Sequence, residues 1–296
     1  MTEKKNYYAY MALFSIYIVW GTTYLAIRIG VEELPPVLFT GLRWIVAGPL
    51  LMGILLLKKY NLPNKKDWVH LGISGLLLLG GGNGLVVFAE QWVPSGITAL
   101  LITTVPFWIV GMESTLPQGK KINLLVAVGL LLGLTGVVII FGGDFNKLFD
   151  PSYLQGIIGL MLAVVCWSAG TIYSKYKKVS VHPLMGASGQ MLFAGVVITA
   201  LGLFLGESSQ FHFTSKSLMA YLYLVVFGSL IGYGSYVYAI AHLPVSLVST
   251  YAYVNPIIAL FLGWLVLDEP MTIWIVFASA IILAGVTFVK KGSEQK

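Results

Sequence analysis

Long apolar runs alternate with short polar connections along the whole chain. Ten runs are long enough to cross a bilayer, which takes about 20 mostly apolar residues each. They cover 9–28, 36–57, 68–90, 93–113, 122–141, 153–174, 183–206, 217–240, 244–266 and 271–289. Strands of a membrane β-barrel would show roughly ten residues of strict alternation. These runs are longer and continuous, so the pattern predicts an all-α integral membrane protein with ten transmembrane helices. The first run is too long for a signal-peptide core and carries no A-x-A cleavage pattern, so it is expected to stay as span 1.

Composition agrees. Charged residues make up 10% of the chain and hydrophobic ones 57%, with a mean hydropathy of +0.86, whereas a soluble domain is about a quarter charged. The formal charge of +6 would suggest nucleic acid in a soluble protein, but here it orients the chain in the membrane. With the N-terminus in the cytoplasm, cytoplasmic segments hold 14 of the 18 Lys and Arg, from Lys4 and Lys5 through Lys120, Lys121, Lys175, Lys177 and Lys178 to Lys290, Lys291 and Lys296. Outer segments carry Glu32, Glu33, Asp144, Asp150, Glu207, Asp268 and Glu269 instead. The positive-inside rule therefore places both termini in the cytoplasm. The single cysteine, Cys166, excludes an internal disulfide and a Cys-rich metal site.

The polar positions inside the apolar runs repeat. Trp20-Gly-Thr-Thr-Tyr-Leu-Ala-Ile-Arg28 returns, altered, as Trp167-Ser-Ala-Gly-Thr-Ile-Tyr-Ser-Lys175. Pro36 opens span 2 as Pro183 opens span 7, and Gly82 and Gly84 in span 3 match Gly232 and Gly234 in span 8. Pro94 and Pro106 pair with Pro244 and Pro256, and Gly136 with Gly285. The two units expected are 1–145 and 150–291. Five spans per unit is an odd number, so direct copies enter the membrane from opposite sides, an inverted-topology repeat.

These residues resemble the EamA family of the drug/metabolite transporter superfamily. The likeness is carried by Trp20-Gly-Thr, Arg43 and Val93-Pro-Ser-Gly-Ile-Thr-Ala-Leu with Val105-Pro106 in the first unit. In the second it is carried by Trp167-Ser, Leu243-Pro-Val-Ser-Leu-Val with Asn255-Pro256, and Leu267-Asp-Glu269. It covers essentially the whole chain and implies a permease or exporter of small metabolites in a bacterial cytoplasmic membrane.

Several constellations fit a transport site. Trp20, Thr23 and Tyr24 share a helix face, as do Trp167, Thr171 and Ser174. They either line a cavity or act as interfacial anchors, and their depth favours the cavity. Asn83 and Glu90 share a face of span 3, as site residues or as interhelical glue and a solvated end. Arg43 lies about two turns inside span 2, with Gln190 as its repeat partner. It is expected to hold a substrate carboxylate, to gate, or to pair structurally. Tyr236 in span 8, Asn255 in span 9 and Trp108 in span 4 complete the candidate substrate-binding set. Asn255 is also placed to satisfy a carbonyl freed by Pro256.

No carboxylate lies at mid-depth in any span, which disfavours the proton–cation exchange of small multidrug transporters. The four histidines, His70, His182, His212 and His242, sit at span ends or in loops, so an intramembrane enzyme ranks low. An exchanger of phosphorylated or nucleotide-sugar-like substrates needs more than one deep cation, and only Arg43 qualifies. The expected function is a secondary transporter of small amphipathic metabolites, amino acids among them, working by alternating access. Its expected partners are the bilayer and a small-molecule substrate, with no nucleic acid, cofactor or metal.

Overall fold

The computed structural model describes residues 3–93, 95–141, 151–267 and 272–294. Helices dominate, and no strand occurs among the described residues. In chain order they are α1 (Glu3–Glu33) and α2 (Pro36–Leu57), then α3 (Lys65–Ala89). Next come α4 (Ser95–Ile102), α5 (Val105–Thr115) and α6 (Leu124–Phe141). They precede α7 (Leu154–Tyr176) and α8 (Pro183–Phe204), then α9 (Ser215–His242). Last are α10 (Val245–Val248), α11 (Tyr251–Leu267) and α12 (Ile273–Glu294).

Seven of these are long and apolar enough to cross a membrane: α1, α2, α3, α7, α8, α9 and α12. The runs expected as spans 4 and 9 are each broken into two helices, α4–α5 and α10–α11. Pro106 lies in the first turn of α5, where its missing N–H is no loss, whereas Pro256 lies inside α11 and leaves one gap in its ladder. A pair of hydroxyls compensates at each break. Thr103 and Thr104 donate to Leu100 O and Leu101 O at 2.5 and 2.7 Å. Ser249 and Thr250 donate to Ser246 O and Leu247 O at 2.9 and 2.6 Å. Hydroxyls that bond freed carbonyls let a helix change direction inside lipid.

The other regular irregularity is a π-helical stretch in the middle of α3, Leu76–Gly84, and of α9, Leu224–Tyr233. Each widens the turn and rotates the later half of its helix, a feature common at functional sites. The outside of the molecule is apolar: Leu57 and Phe204 are each 87% exposed. That surface needs lipid as its solvent.

The tightest crossings are α2 on α8 and α6 on α12. Glycine makes both possible. A Cβ on Gly41 would lie 2.5 Å from Thr199 N, and one on Gly48 would lie 2.6 Å from Leu192 N. Across α6–α12, Gly129 and Gly285 face each other, each Cβ meeting the other's carbonyl oxygen at 2.6 and 2.7 Å. Small residues let transmembrane backbones approach this closely.

Helix ends are tied across the bundle. Glu207 accepts from Val37 N (3.4 Å) and Leu38 N (2.6 Å), capping α2 with negative charge. Arg28 donates to Glu90 O at 2.8 Å, at the C-terminal end of α3. Lys175 donates to Ile240 O (2.7 Å) and Leu243 O (2.8 Å), at the C-terminal end of α9. Both cations thus sit where a helix C-terminus favours positive charge. Arg28 and Lys175 end the two copies of the Trp motif, so these closing cations hold helix ends.

Candidate functional site

Helix α1 crosses the middle of the molecule against α9 and α11, while α7 packs against α3 and α5. This brings the two tryptophans of the repeated motif together. Trp20 and Trp167 meet edge to face, with ring centroids 5.5 Å apart. Tyr236 packs on both, at 5.2 Å from Trp20 and 5.1 Å from Trp167, and Tyr251 closes on Trp20 at 5.1 Å. Such pairs contribute about 0.5–1.5 kcal/mol each beyond area burial.

Each tryptophan is seated on a glycine of the opposite half. A Cβ on Gly82 would fall 2.8 Å from Trp167 Cε3, and one on Gly232 would fall 2.8 Å from Trp20 Cδ1. The Trp20 indole N–H donates to Gly228 O at 3.2 Å. On the other side Thr171 donates to Trp167 O (2.7 Å) and its hydroxyl bonds the Tyr236 hydroxyl (2.5 Å). Neither ring is a headgroup anchor.

Beside this aromatic layer lies a cavity. About 80 Å³ of it is open to the centre of a water-sized sphere, against roughly 10–15 Å³ needed for one water. Trp20, Thr23, Arg43, Asn83, Trp167 and Asn255 line it, all expected from the sequence, and so do Trp44, Tyr233 and Tyr251. Arg43 is 4% exposed. Its guanidinium carbon stands 3.9 Å over the Trp44 ring, and its Nη2 donates to Asn83 Oδ1 at 3.3 Å. Arg43 Nε and Trp44 Nε1 are buried and have no hydrogen-bond partner. With Trp167 Nε1, also buried and without a partner, three donors of lining residues are unsatisfied.

Asn255 ties α11 to α1. With its amide nitrogen turned toward the carbonyls it donates to Tyr17 O (3.0 Å) and Tyr251 O (3.1 Å). The carbonyl freed by Pro256 is that of Ala252, four residues back, so Asn255 serves its neighbours instead. Tyr17 adds a bond to the Thr250 hydroxyl at 2.7 Å, beside the α10–α11 break.

The remaining sequence candidates lie elsewhere. Tyr236 and Thr171 sit behind the Trp pair, off the cavity wall. The Tyr24 side chain lies outside the described residues. Trp108 is 38% exposed and does not line the cavity, because the break after Ile102 resets the phase of α5. Glu90 is fully buried, and neither carboxylate oxygen has a partner. It too is absent from the cavity wall.

Gln190 is buried one layer away, at the edge of a second cavity of about 240 Å³. Its amide nitrogen donates to Ser74 Oγ (2.8 Å) and Ser174 Oγ (3.3 Å), and its carbonyl accepts from the Tyr233 hydroxyl at 2.9 Å. The repeat carries a signal for Tyr233: it stands 150 residues after Asn83, in register with the paired glycines. Trp44 has no such signal, since adjacent helical residues do not share a face.

Among the described residues no group of three His, Cys, Asp or Glu side chains is placed to hold a metal ion. What the site offers is a small aromatic chamber with one buried cation and spare N–H donors.

Known proteins share this architecture. The solved protein structure that superimposes at a TM-score of 0.80 shares 21% of its sequence, over 97% of this chain and 99% of its own. It supports the fold alone. The uncharacterized inner membrane transporter YedA of Escherichia coli (strain K12) is 38% identical over 253 residues, 85% of this chain and 80% of YedA. The uncharacterized transporter YoaV of Bacillus subtilis (strain 168) is 25% identical over 277 residues, 93% of this chain and 94% of YoaV. The sequence pattern of the EamA-like transporter family matches twice, over residues 7–142 and 154–290. Membrane transporters are thus the proteins this sequence is similar to, and the chain belongs to the EamA-like transporter family.

Proposed function

We propose that the protein is a secondary transporter that moves small amphipathic metabolites bearing a carboxylate, amino acids among them, across the cytoplasmic membrane. The observation that carries this is the cavity wall itself. Arg43 Nε and Trp44 Nε1 are buried donors without acceptors, next to an apolar surface built from Trp20, Trp167 and Tyr251. A buried unsatisfied donor costs about 1–3 kcal/mol. A carboxylate would satisfy Arg43 bidentately while an apolar body packs on the rings. Arg43 is the only cation among the described lining residues, which favours a single carboxylate over a phosphorylated or nucleotide-sugar-like substrate.

Alternating access between two oppositely inserted five-helix units is the proposed mechanism, with both termini cytoplasmic. Supporting it are the reciprocal seats Gly82–Trp167 and Gly232–Trp20 and the cations Arg28 and Lys175 on equivalent helix ends. The breaks after Ile102 and Val248 and the paired π stretches point the same way.

The test is counterflow in proteoliposomes, using labelled metabolites selected by growth protection of an overexpressing strain. Arg43→Gln should reduce transport of a carboxylate substrate at least tenfold, and Arg43→Lys, a point charge without the fork, should recover only part of it. Wild-type transport by both variants would overturn the assignment of Arg43.

A further inference from the structure

The central cavity and the second cavity lie on opposite sides of one polar layer. The central one is bounded by the later halves of α1 and α3 and the earlier halves of α2 and α7, through Ile27, Val86, Arg43 and Ala163. The other is bounded by the opposite ends of the same bundle, through His70, Ser74, Tyr173 and Lys175. Two residues separate them. Tyr233 is on the wall of the first and Gln190 is on the wall of the second, and they are hydrogen-bonded to each other at 2.9 Å.

We propose that Tyr233 and Gln190, with Ser74 and Ser174, form the gate that closes the cytoplasmic half of the translocation path, and that the second cavity is the vestibule beyond it. This rests on the transporter reading above. Four helices contribute one residue each: α9 gives Tyr233, α8 Gln190, α3 Ser74 and α7 Ser174. A bond network across four helices is lost when the helices separate, so it stabilises the closed arrangement. Both Tyr233 and Gln190 are at most 1% exposed, and both ends of the Gln190 amide are engaged by side chains of the protein. Gln190 is thereby a gating residue and not part of the substrate site.

The internal repeat supplies the counterpart. Gln190 is equivalent to Arg43, and Tyr233 to Asn83. That equivalent pair is also in contact, Arg43 Nη2 to Asn83 Oδ1 at 3.3 Å, on the wall of the central cavity. The two pairs are not equally built. The Arg43–Asn83 contact is a single long bond, whereas Gln190 has three partners. In this arrangement the cytoplasmic pair is the more firmly tied of the two.

Thiol labelling tests this without knowledge of the substrate. The native cysteine is first removed as Cys166→Ala, and a cysteine is placed on the central cavity wall as Val86→Cys. Membrane-impermeant maleimide is then applied to right-side-out and inside-out vesicles. With the gate intact, Val86→Cys should label from the outer face only. Adding Tyr233→Phe, which keeps the ring and removes the donor, should raise labelling from the cytoplasmic face roughly fivefold, the population shift expected on losing one ordinary hydrogen bond, and Gln190→Leu, which removes three bonds, should raise it at least as much. Lys177→Cys, on the vestibule wall and outside the bond network, should label from the cytoplasmic face in every background. If outer labelling persists and neither gate variant raises cytoplasmic labelling, the gate is wrong while the cavity reading stands. Failure of Val86→Cys to label from either face in any background would overturn the cavity reading and the gate with it. Size-exclusion profiles of each variant separate misfolding from gating; should Gln190→Leu misfold, Tyr233→Phe decides.

Discussion

The seating of Trp20 on Gly232 gives the sharpest prediction about the site. An added methyl at 232 falls 2.8 Å from Trp20 Cδ1 and closer still to the indole nitrogen, whereas one at Gly228, a turn earlier on α9, meets Thr23 Cγ2 at 3.4 Å. The second distance is ordinary contact. Gly232→Ala must therefore push the ring off its seat and loosen its bond to Gly228 O, an overpacking cost of about 1–3 kcal/mol. Both variants gain from the better helix propensity of alanine, roughly 0.5–1 kcal/mol. That gain cancels in the difference, so Gly228→Ala should be more stable than Gly232→Ala by about 1–3 kcal/mol. Gly82→Ala, which presses on Trp167 Cε3 at 2.8 Å, should behave like Gly232→Ala. The assay is thermal unfolding in detergent with intrinsic fluorescence as the readout, which also reports a change of environment around the displaced indole. If all three alanine variants unfold together with unchanged emission, the close seating of the tryptophans is refuted.

Single contacts give further predictions. Thr171→Val keeps the shape but removes the hydroxyl bonded to Tyr236 at 2.5 Å; it should lower stability by about 1–2 kcal/mol, measured in the same unfolding assay. Glu207→Ala removes the carboxylate that caps α2 through Val37 N and Leu38 N; the expected loss is about 1 kcal/mol, and Glu207→Gln, which keeps an acceptor, should lose less.

Much of the site is legible in the sequence because the repeat supplies its own control. The motif pairs Trp20 with Trp167, and the structure packs them edge to face. Arg43, Asn83 and Asn255 are polar residues deep in apolar runs, and all three reach the cavity. Face counting fails wherever a helix is not regular. Counting through Pro106 aims Trp108 at the site, but the chain restarts as a new helix at Val105 and the ring turns outward. Spans 4 and 9 read as continuous because hydropathy is blind to a break; the signal is the hydroxyl pair before each proline, Thr103-Thr104 and Ser249-Thr250. Nothing local to Arg28 announces that the end of α3 lies within its reach. Depth and its partner Arg43 single out Gln190, but depth does not distinguish a residue on the path from one that closes it.

The central claim is that one aromatic chamber, built where Trp20 and Trp167 meet, receives the substrate. Counterflow of an identified carboxylate metabolite by the Trp20→Ala, Trp167→Ala double variant in proteoliposomes tests it most directly, after its fold is checked by size exclusion. The account predicts at least a tenfold loss of transport, with Trp108→Ala, outside the cavity, transporting as the wild type does. Full transport by the folded double variant would contradict it.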